Sequence, residues 1–164
     1  MDSVVDLELL KTNEIISLYS DVMVELKKRD VIRTKNLIGD LGEYLAINHY
    51  NNTSNLPNLR EAAIGTKNID AISRDGDRYS IKSTTGRLTG VFYGLNSPDS
   101  EETDSQKFEF LIIVIFDDEF RLHKILEVSW ELFLKYKRWH TTMNAWNISI
   151  TKKLTSDAVC IYQR

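Results

Sequence analysis

The chain has 164 residues, of which 42% are hydrophobic and 27% charged, a composition that predicts one globular domain with a packed core and excludes a disordered chain. The longest uninterrupted apolar run, Phe110 to Phe116, is too short to span a membrane, and we expect neither a membrane partner nor a secretory signal. Cys160 is the only cysteine, which excludes an internal disulfide and fits the reducing cytoplasm where we expect the protein.

The net charge of −3 argues against a strongly basic nucleic-acid-binding protein, but the charges are unevenly distributed. Residues 98–119 carry a net charge of −7, which leaves +4 for the rest of the chain, and residues 27–35 alone carry +4. This asymmetry allows a basic face on an acidic protein. Solvated helix ends and loops explain the same distribution more simply.

The first 50 residues predict two helices. Apolar residues recur at helical spacing up to Leu26 and basic residues follow, which predicts a helix over roughly 6–29 that restarts near 12–13. Thr34 is predicted to cap a second helix that ends near 51–52. Residues 51–58 have the composition of a loop.

The rest of the chain predicts strands and one further helix. Asp75-Gly76, between two short apolar runs, is a strong hairpin signal. Residues 84–107 are typical of a long functional or mobile loop, with a short strand at 91–93. The predicted strands are 59–64, 69–73, 78–83, 108–116, 120–125 and 146–150, and the predicted helix is 128–136. This order of elements predicts a single α/β or α+β domain over residues 1–164, with a mixed sheet flanked by helices.

One acid and one lysine stand out because the predicted hairpin brings them onto neighbouring strands. Alternation along the second strand places Ser80 and Lys82 on one face, where they can oppose Asp70, with Ile81 directed to the core. A carboxylate there suits Mg²⁺, which prefers oxygen ligands and retains several waters. A lysine suits the orientation of a water or the stabilisation of charge on a phosphate. The combination predicts phosphodiester hydrolysis.

A second acidic element lies on the second predicted helix. Asp40 and Glu43 are three residues apart, so they lie side by side on one face. Gly39 and Gly42 allow this helix to pack closely on a sheet. Both acids suit the exposed face of an amphipathic helix, but the apolar residues around Glu43 place it near the apolar edge, where it can face a site.

Together these features resemble the PD-(D/E)xK nuclease superfamily, the fold of many restriction endonucleases and junction resolvases. Its pattern has a Glu on a helix, an Asp at the end of one strand and an acid-x-Lys on the next; Glu43, Asp70 and Lys82 match the first, second and last of these. The chain is also similar, over nearly its whole length, to a family of small uncharacterised bacterial proteins with this core. The matching stretches are residues 31–40, 42–45, 65–70 and 81–82.

The resemblance implies a restriction-endonuclease-like fold and a Mg²⁺- or Mn²⁺-dependent DNA endonuclease, of the kind used in bacterial restriction, defence or DNA repair. It implies that Asp70 and Glu43 hold the ion and that Lys82 positions or deprotonates the attacking water. Ser80 departs from the pattern, because an acid is expected there and a hydroxyl is a weaker ligand. The ion would then depend on Asp70, Glu43, a backbone carbonyl such as that of Ile81, and water. Small nucleases of this kind often act as dimers, so the resemblance is also consistent with a homodimer.

Two groups of polar residues are candidate contacts to DNA. One group stands at the predicted start of the second helix and suits phosphate binding there, or forms a solvated helix start. The other follows the second hairpin strand and favours contacts to the nucleic-acid backbone over a plain loop. The residues are Arg33, Lys35 and Asn36 in the first group, and Thr84 and Arg87 in the second.

Two hypotheses compete with the enzyme. The first is a catalytically weak or inactive module that keeps the nuclease fold and binds DNA or a protein as a subunit of a larger system. Ser80 and the net negative charge favour this alternative. The second is a purely protein-binding role through the acidic residues 99–109. The sequence leaves the choice open.

Overall fold

The computed structural model describes residues 4–164 and shows a mixed α+β fold in which a mostly antiparallel sheet is flanked by helices. The helices are α1 (Thr12–Lys28), α2 (Leu37–Asn51), α3 (Trp130–Tyr136) and α4 (Lys152–Asp157). The strands are β1 (Leu59–Glu61), β2 (Ala71–Ser73), β3 (Arg78–Thr84), β4 (Phe110–Phe116), β5 (Leu122–Ser129), β6 (Lys137–His140), β7 (Ala145–Ile148) and β8 (Val159–Gln163). The chain divides into two compact units, Met1–Leu41 and Gly42–Arg164, with the boundary inside α2. A single domain over 1–164 stays a prediction.

Both predicted N-terminal helices are present. A short 3-10 turn at Leu7–Leu9 precedes α1, so the helix begins at the predicted restart near 12–13. The cap of α2 differs from the prediction, because the side chain of Asn36, not Thr34, accepts a hydrogen bond from the Gly39 N–H (3.1 Å). Thr34 lies too far before the helix to cap it, and its hydroxyl accepts instead from the Asn36 N–H (3.0 Å). In the described part of the chain, no helix has the length and apolar character needed to cross a membrane.

Six strands form the main sheet in the order β1-β2-β3-β4-β5-β8, and β6 and β7 form a separate two-stranded sheet. β3 and β4 are parallel, whereas the other neighbours in the main sheet are antiparallel. A parallel pair needs a crossover and cannot be joined by a tight turn. Residues 85–109 make this crossover, which gives a structural role to the segment predicted as a functional or mobile loop.

The hairpin of β2 and β3 turns at Asp75-Gly76, as predicted. The Ser73 N–H donates to the Asp77 carbonyl (2.9 Å), and the Gly76 N–H donates to the Ser73 carbonyl (3.1 Å). Gly76 has a φ of +90°, which glycine adopts without steric cost and which a three-residue hairpin loop commonly requires. This turn sets the register that pairs Ala71 with Tyr79.

The main apolar cluster covers one face of the sheet. Phe92 comes from the crossover and packs on Phe133 of α3, with ring centroids 4.8 Å apart. β4, which forms most of the predicted strand 108–116, lies between β3 and β5 in the sheet and is largely buried. The buried members are Phe92, Phe108, Leu111, Ile113, Leu126, Val128, Trp130, Phe133, Ile148 and Leu154.

Three elements, β6, α4 and β8, lie outside the predicted ones. β8 is an edge strand whose residues are all exposed or half-exposed, so its sequence lacks the alternation of a half-buried strand. α4 has only six residues and is capped by the Thr151 hydroxyl, which accepts from the Leu154 N–H (3.1 Å). Such a short helix shows no measurable apolar period.

At Gly42, helix α2 contacts the sheet directly, because glycine has no side chain to separate the two. A Cβ atom at Gly42 would lie 1.8 Å from Ser83 Oγ and 3.5 Å from Val114 Cβ. The helix backbone therefore lies directly over β3 and β4. Gly39, also predicted to allow close packing on a sheet, instead faces the side chain of Asn36.

We expect Gly42→Ala to destabilise Gly42–Arg164 although alanine favours a helix, because the added Cβ would overlap Ser83. Overpacking of this kind costs about 1–3 kcal/mol, which urea unfolding would measure. Gly90→Ala is the matched control, since no atom lies within 4 Å of a Cβ placed there. Equal stabilities of the two variants would contradict the close packing.

Candidate functional site

The site begins where β2 stops pairing with β3. The ladder ends at the pair Ala71–Tyr79, and Asp70 lies directly before β2. Farther along β3, the N–H of Ile81 has no strand partner on this side and donates to Asp70 Oδ2 (2.7 Å). The carboxylate therefore takes the place of a backbone acceptor, which leaves a notch in the sheet beside β3.

Lys82 stands next to this notch with a half-buried side chain. Its Nζ donates to the Val91 carbonyl (3.1 Å) and lies 4.9 Å from the ring centroid of Phe92. Burial lowers the pKa of Lys82, whereas the negative charges of Asp70 and Glu43 act in the opposite direction. The ammonium is thus partly desolvated and electrostatically coupled to both carboxylates.

Glu43 reaches this site from α2. It follows Gly42, the point at which the helix contacts Ser83, and its side chain is half-buried. Ser83 and Lys82 are consecutive in β3, so their side chains point to opposite faces of the sheet. The negative charge of Glu43 nevertheless acts on the pKa of Lys82, so the two side chains are electrostatically coupled.

Ser80 and Ile81 are placed differently from each other. Ser80 is 2% exposed and aligns with Leu111 of the parallel strand, so its hydroxyl lies in the interior. In an extended strand the N–H and C=O of one residue point to the same edge. Because the Ile81 N–H faces Asp70, the Ile81 carbonyl also faces the notch.

The oxygen donors near the notch are two carboxylates and one carbonyl, from Asp70, Glu43 and Ile81. Among residues 4–164, no three His, Cys, Asp or Glu side chains come together in an arrangement that would hold a metal ion. Mg²⁺ commonly uses one or two carboxylates and retains several waters. The donor set thus suits Mg²⁺ and does not suit a closed zinc site.

The first group of predicted DNA contacts belongs to the unit Met1–Leu41. Asp40, 6% exposed, holds this segment by accepting from the N–H groups of Arg33 (2.8 Å) and Thr34 (2.5 Å). Asp40 is therefore a structural residue. Asn36 serves as the helix cap, and Lys35 is exposed.

The second group lies just beyond the site. Thr84 shapes the turn after β3, because its hydroxyl donates to the Leu88 carbonyl (2.8 Å) and accepts from the Gly86 N–H (3.0 Å). The Arg87 side chain is exposed, and its carbonyl accepts from the Ile150 N–H (2.7 Å). Of these two, Arg87 presents a side chain to solvent near the exit of β3.

The structure adds two groups that were not predicted as site members, the Val91 carbonyl and the Phe92 ring. Both hold the side chain of Lys82. The only sequence signal is the apolar triplet 91–93 within a polar segment, and it indicates burial without naming a partner.

Compared with protein-family models and with curated proteins, the chain gives no significant match.

We expect Lys82→Met to be at least as thermally stable as the wild type near pH 8. Methionine keeps an unbranched stem against Phe92 and removes a desolvated charge. Burial lowers the pKa of Lys82 in the folded protein below the ordinary 10.5 of the unfolded chain. At a pH between these two pKa values, the unfolded chain binds the proton more strongly than the folded protein does. The stability of the wild type should therefore rise toward that of the variant as pH approaches 10.5.

Melting temperatures of both proteins from pH 7 to pH 10.5 would measure this convergence. Lys124→Met, in β5, controls for loss of a lysine elsewhere in the sheet. A Lys82→Met protein that melts several degrees lower at every pH would contradict a desolvated ammonium.

Proposed function

We propose that this protein is a Mg²⁺- or Mn²⁺-dependent phosphodiesterase that cuts DNA and has a restriction-endonuclease-like fold of the PD-(D/E)xK type. The observation that carries the proposal is the half-buried ammonium of Lys82, held by the Val91 carbonyl beside the notch that Asp70 closes and coupled to the charges of Asp70 and Glu43. The order of the elements supports it, since a helix with an acid, a strand start with an acid and a strand with a lysine follow one another along the chain. A structural salt bridge alone would not need a second acid from another element.

Each of the three side chains has a role in this proposal. Asp70 and Glu43 supply carboxylate oxygens, and the Ile81 carbonyl faces the same notch. Lys82, with its lowered pKa, loses its proton more readily than an ordinary lysine, which suits it to accept a proton from water or to orient it. A bound Mg²⁺ would supply electrostatic stabilisation of the charge that develops on the phosphate.

A second candidate function is a DNA- or protein-binding module without catalysis. Two observations favour it: Ser80 is neutral and 2% exposed, and Asp70 already completes the hydrogen bonding of β3 through the Ile81 N–H. Both are compatible with a site that has kept its structure and lost its acid at position 80. Metal binding separates the two functions.

The first test is cleavage of plasmid, single-stranded and branched DNA with Mg²⁺ or Mn²⁺. We expect metal-dependent cutting by the wild type and a loss of about 100-fold or more in Lys82→Met, in line with the usual contribution of a proton-transferring group. Asp75→Asn, in the exposed turn of the hairpin, is the control and should cut normally. No cutting of any substrate, or unchanged cutting by Lys82→Met, would refute the enzyme.

Calorimetric titration with Mn²⁺ distinguishes the enzyme from the binding module. Asp70→Asn keeps an oxygen that can accept from the Ile81 N–H and removes the charge, so it should fold and lose metal binding. If the wild type binds no Mn²⁺ but binds DNA with a steep salt dependence, the binding module replaces the enzyme.

A further inference from the structure

A cavity of about 310 Å³ is lined by residues that directly precede Asp70 in the chain. Two chain segments connect the acid–lysine site to the wall of this cavity. Residues Lys67 to Ile69 line it directly before Asp70, and Gly94 lines it three residues after Val91, the acceptor of Lys82. The cavity is therefore continuous in sequence with both sides of the site.

The walls of this cavity are rich in positive charge. Lys67, Arg78 and Lys107 all line it. Arg78 is held by Glu109, which accepts from its Nε (3.0 Å) and Nη2 (2.8 Å), and this pairing lowers the pKa of Glu109. The Arg78 charge is thereby balanced, and the two lysines give the cavity its excess positive charge.

Lys67 is positioned by the backbone around it. A Cβ at Gly94 would lie 2.7 Å from Lys67 Cε and 2.8 Å from its Nζ, so the lysine stem lies against a bare glycine with a φ of +80°. The next residue, Asn68, also has a positive φ of +60°, which asparagine tolerates better than most residues. This turn places an ammonium and an amide side by side on one wall.

A second segment of the lining, residues 105–107, carries the same chemistry. Lys107 donates from Nζ to Ser105 Oγ (3.0 Å). Gln106 donates to the Phe108 carbonyl (3.2 Å) through Nε2, which holds the amide plane in place. Each segment thus carries one ammonium for an anion and one amide for the edge of a heterocycle.

We propose that this cavity binds one nucleotide of the DNA strand next to the phosphate that is cut, with its phosphate between Lys67 and Lys107. The size supports one nucleotide, since 310 Å³ is at the lower end of ligand cavities, which span about 300–1,000 Å³. The amides of Asn68 and Gln106 face the base. This assignment rests on the proposed function for its position beside a cut phosphate, but the nucleotide binding itself does not require catalysis.

The test measures binding without cutting. A fluorescent single-stranded oligonucleotide is titrated in EDTA, and its anisotropy is followed from 50 to 200 mM salt. We expect Lys67→Gln/Lys107→Gln to bind about tenfold more weakly at low salt and to lower the salt slope by about 0.7, the value for one phosphate contact on a single strand. Lys152→Gln/Lys153→Gln, two exposed lysines of α4, is the matched control and should resemble the wild type.

The outcomes separate this inference from the enzyme. Wild-type cutting with equal oligonucleotide binding by both double variants would overturn the nucleotide site and leave the nuclease intact. No cutting, with binding lost only in Lys67→Gln/Lys107→Gln, would support the nucleotide site and refute the nuclease.

A competition experiment tests whether the ligand is a nucleotide or simply phosphate. Thymidine monophosphate and inorganic phosphate are compared at equal ionic strength as competitors of the oligonucleotide. Stronger displacement by the nucleotide supports the assignment of the base to Asn68 and Gln106. Equal displacement would overturn it in favour of a phosphate site.

Discussion

A single hydrogen bond, from the Ile81 N–H to the carboxylate of Asp70, determines the geometry of the site. β2 begins at Ala71, which pairs with Tyr79, so the edge of β3 beyond Tyr79 has no strand beside it. A backbone N–H without an acceptor is costly when it is removed from water. Asp70 removes this cost and, by the same contact, places a negative charge within reach of Lys82. The open edge of the sheet and the acid–lysine pair are therefore one feature.

The crossover between β3 and β4 completes this arrangement. Because the two strands are parallel, the chain must return across a face of the sheet, and it brings Val91 and Phe92 against Lys82. Burial lowers the pKa of Lys82, whereas the negative charges of Asp70 and Glu43 act in the opposite direction, and the ammonium donates to the Val91 carbonyl. Such a compromise between burial and charge occurs at functional sites and also in structural ion-pair networks.

Much of the fold follows from local sequence. The pair Asp75-Gly76 predicts the hairpin because glycine adopts the positive φ that the turn needs, and the run from Phe110 to Phe116 predicts a buried strand because it is apolar on both faces. The elements that escape prediction have weak periodicity. β8 is exposed at the edge of the sheet, and α4 has only six residues, so neither element shows an apolar pattern in its sequence.

The candidate site also has a part that local sequence predicts and a part that it does not. Asp70 and Lys82 are recognisable from residue type and spacing, since the hairpin constrains their relative positions, whereas Glu43 joins them only through the resemblance to the nuclease pattern. The roles of Asn36, Thr34 and Asp40 depend on which backbone N–H groups remain without acceptors, and composition does not reveal this. Of these three, Asn36 was predicted to contact DNA, and the structure shows that it caps α2.

The sequence by itself determined the hairpin, the central strand and the identity of the acid and the lysine, because these depend on neighbouring residues and on the two-residue period of a strand. Only the tertiary structure decided that Ser80 is buried, that Gly42 brings Glu43 to the sheet, and that Phe92 covers Lys82. Each of these depends on contacts between residues distant in the chain, where packing and desolvation act and local propensity has no influence.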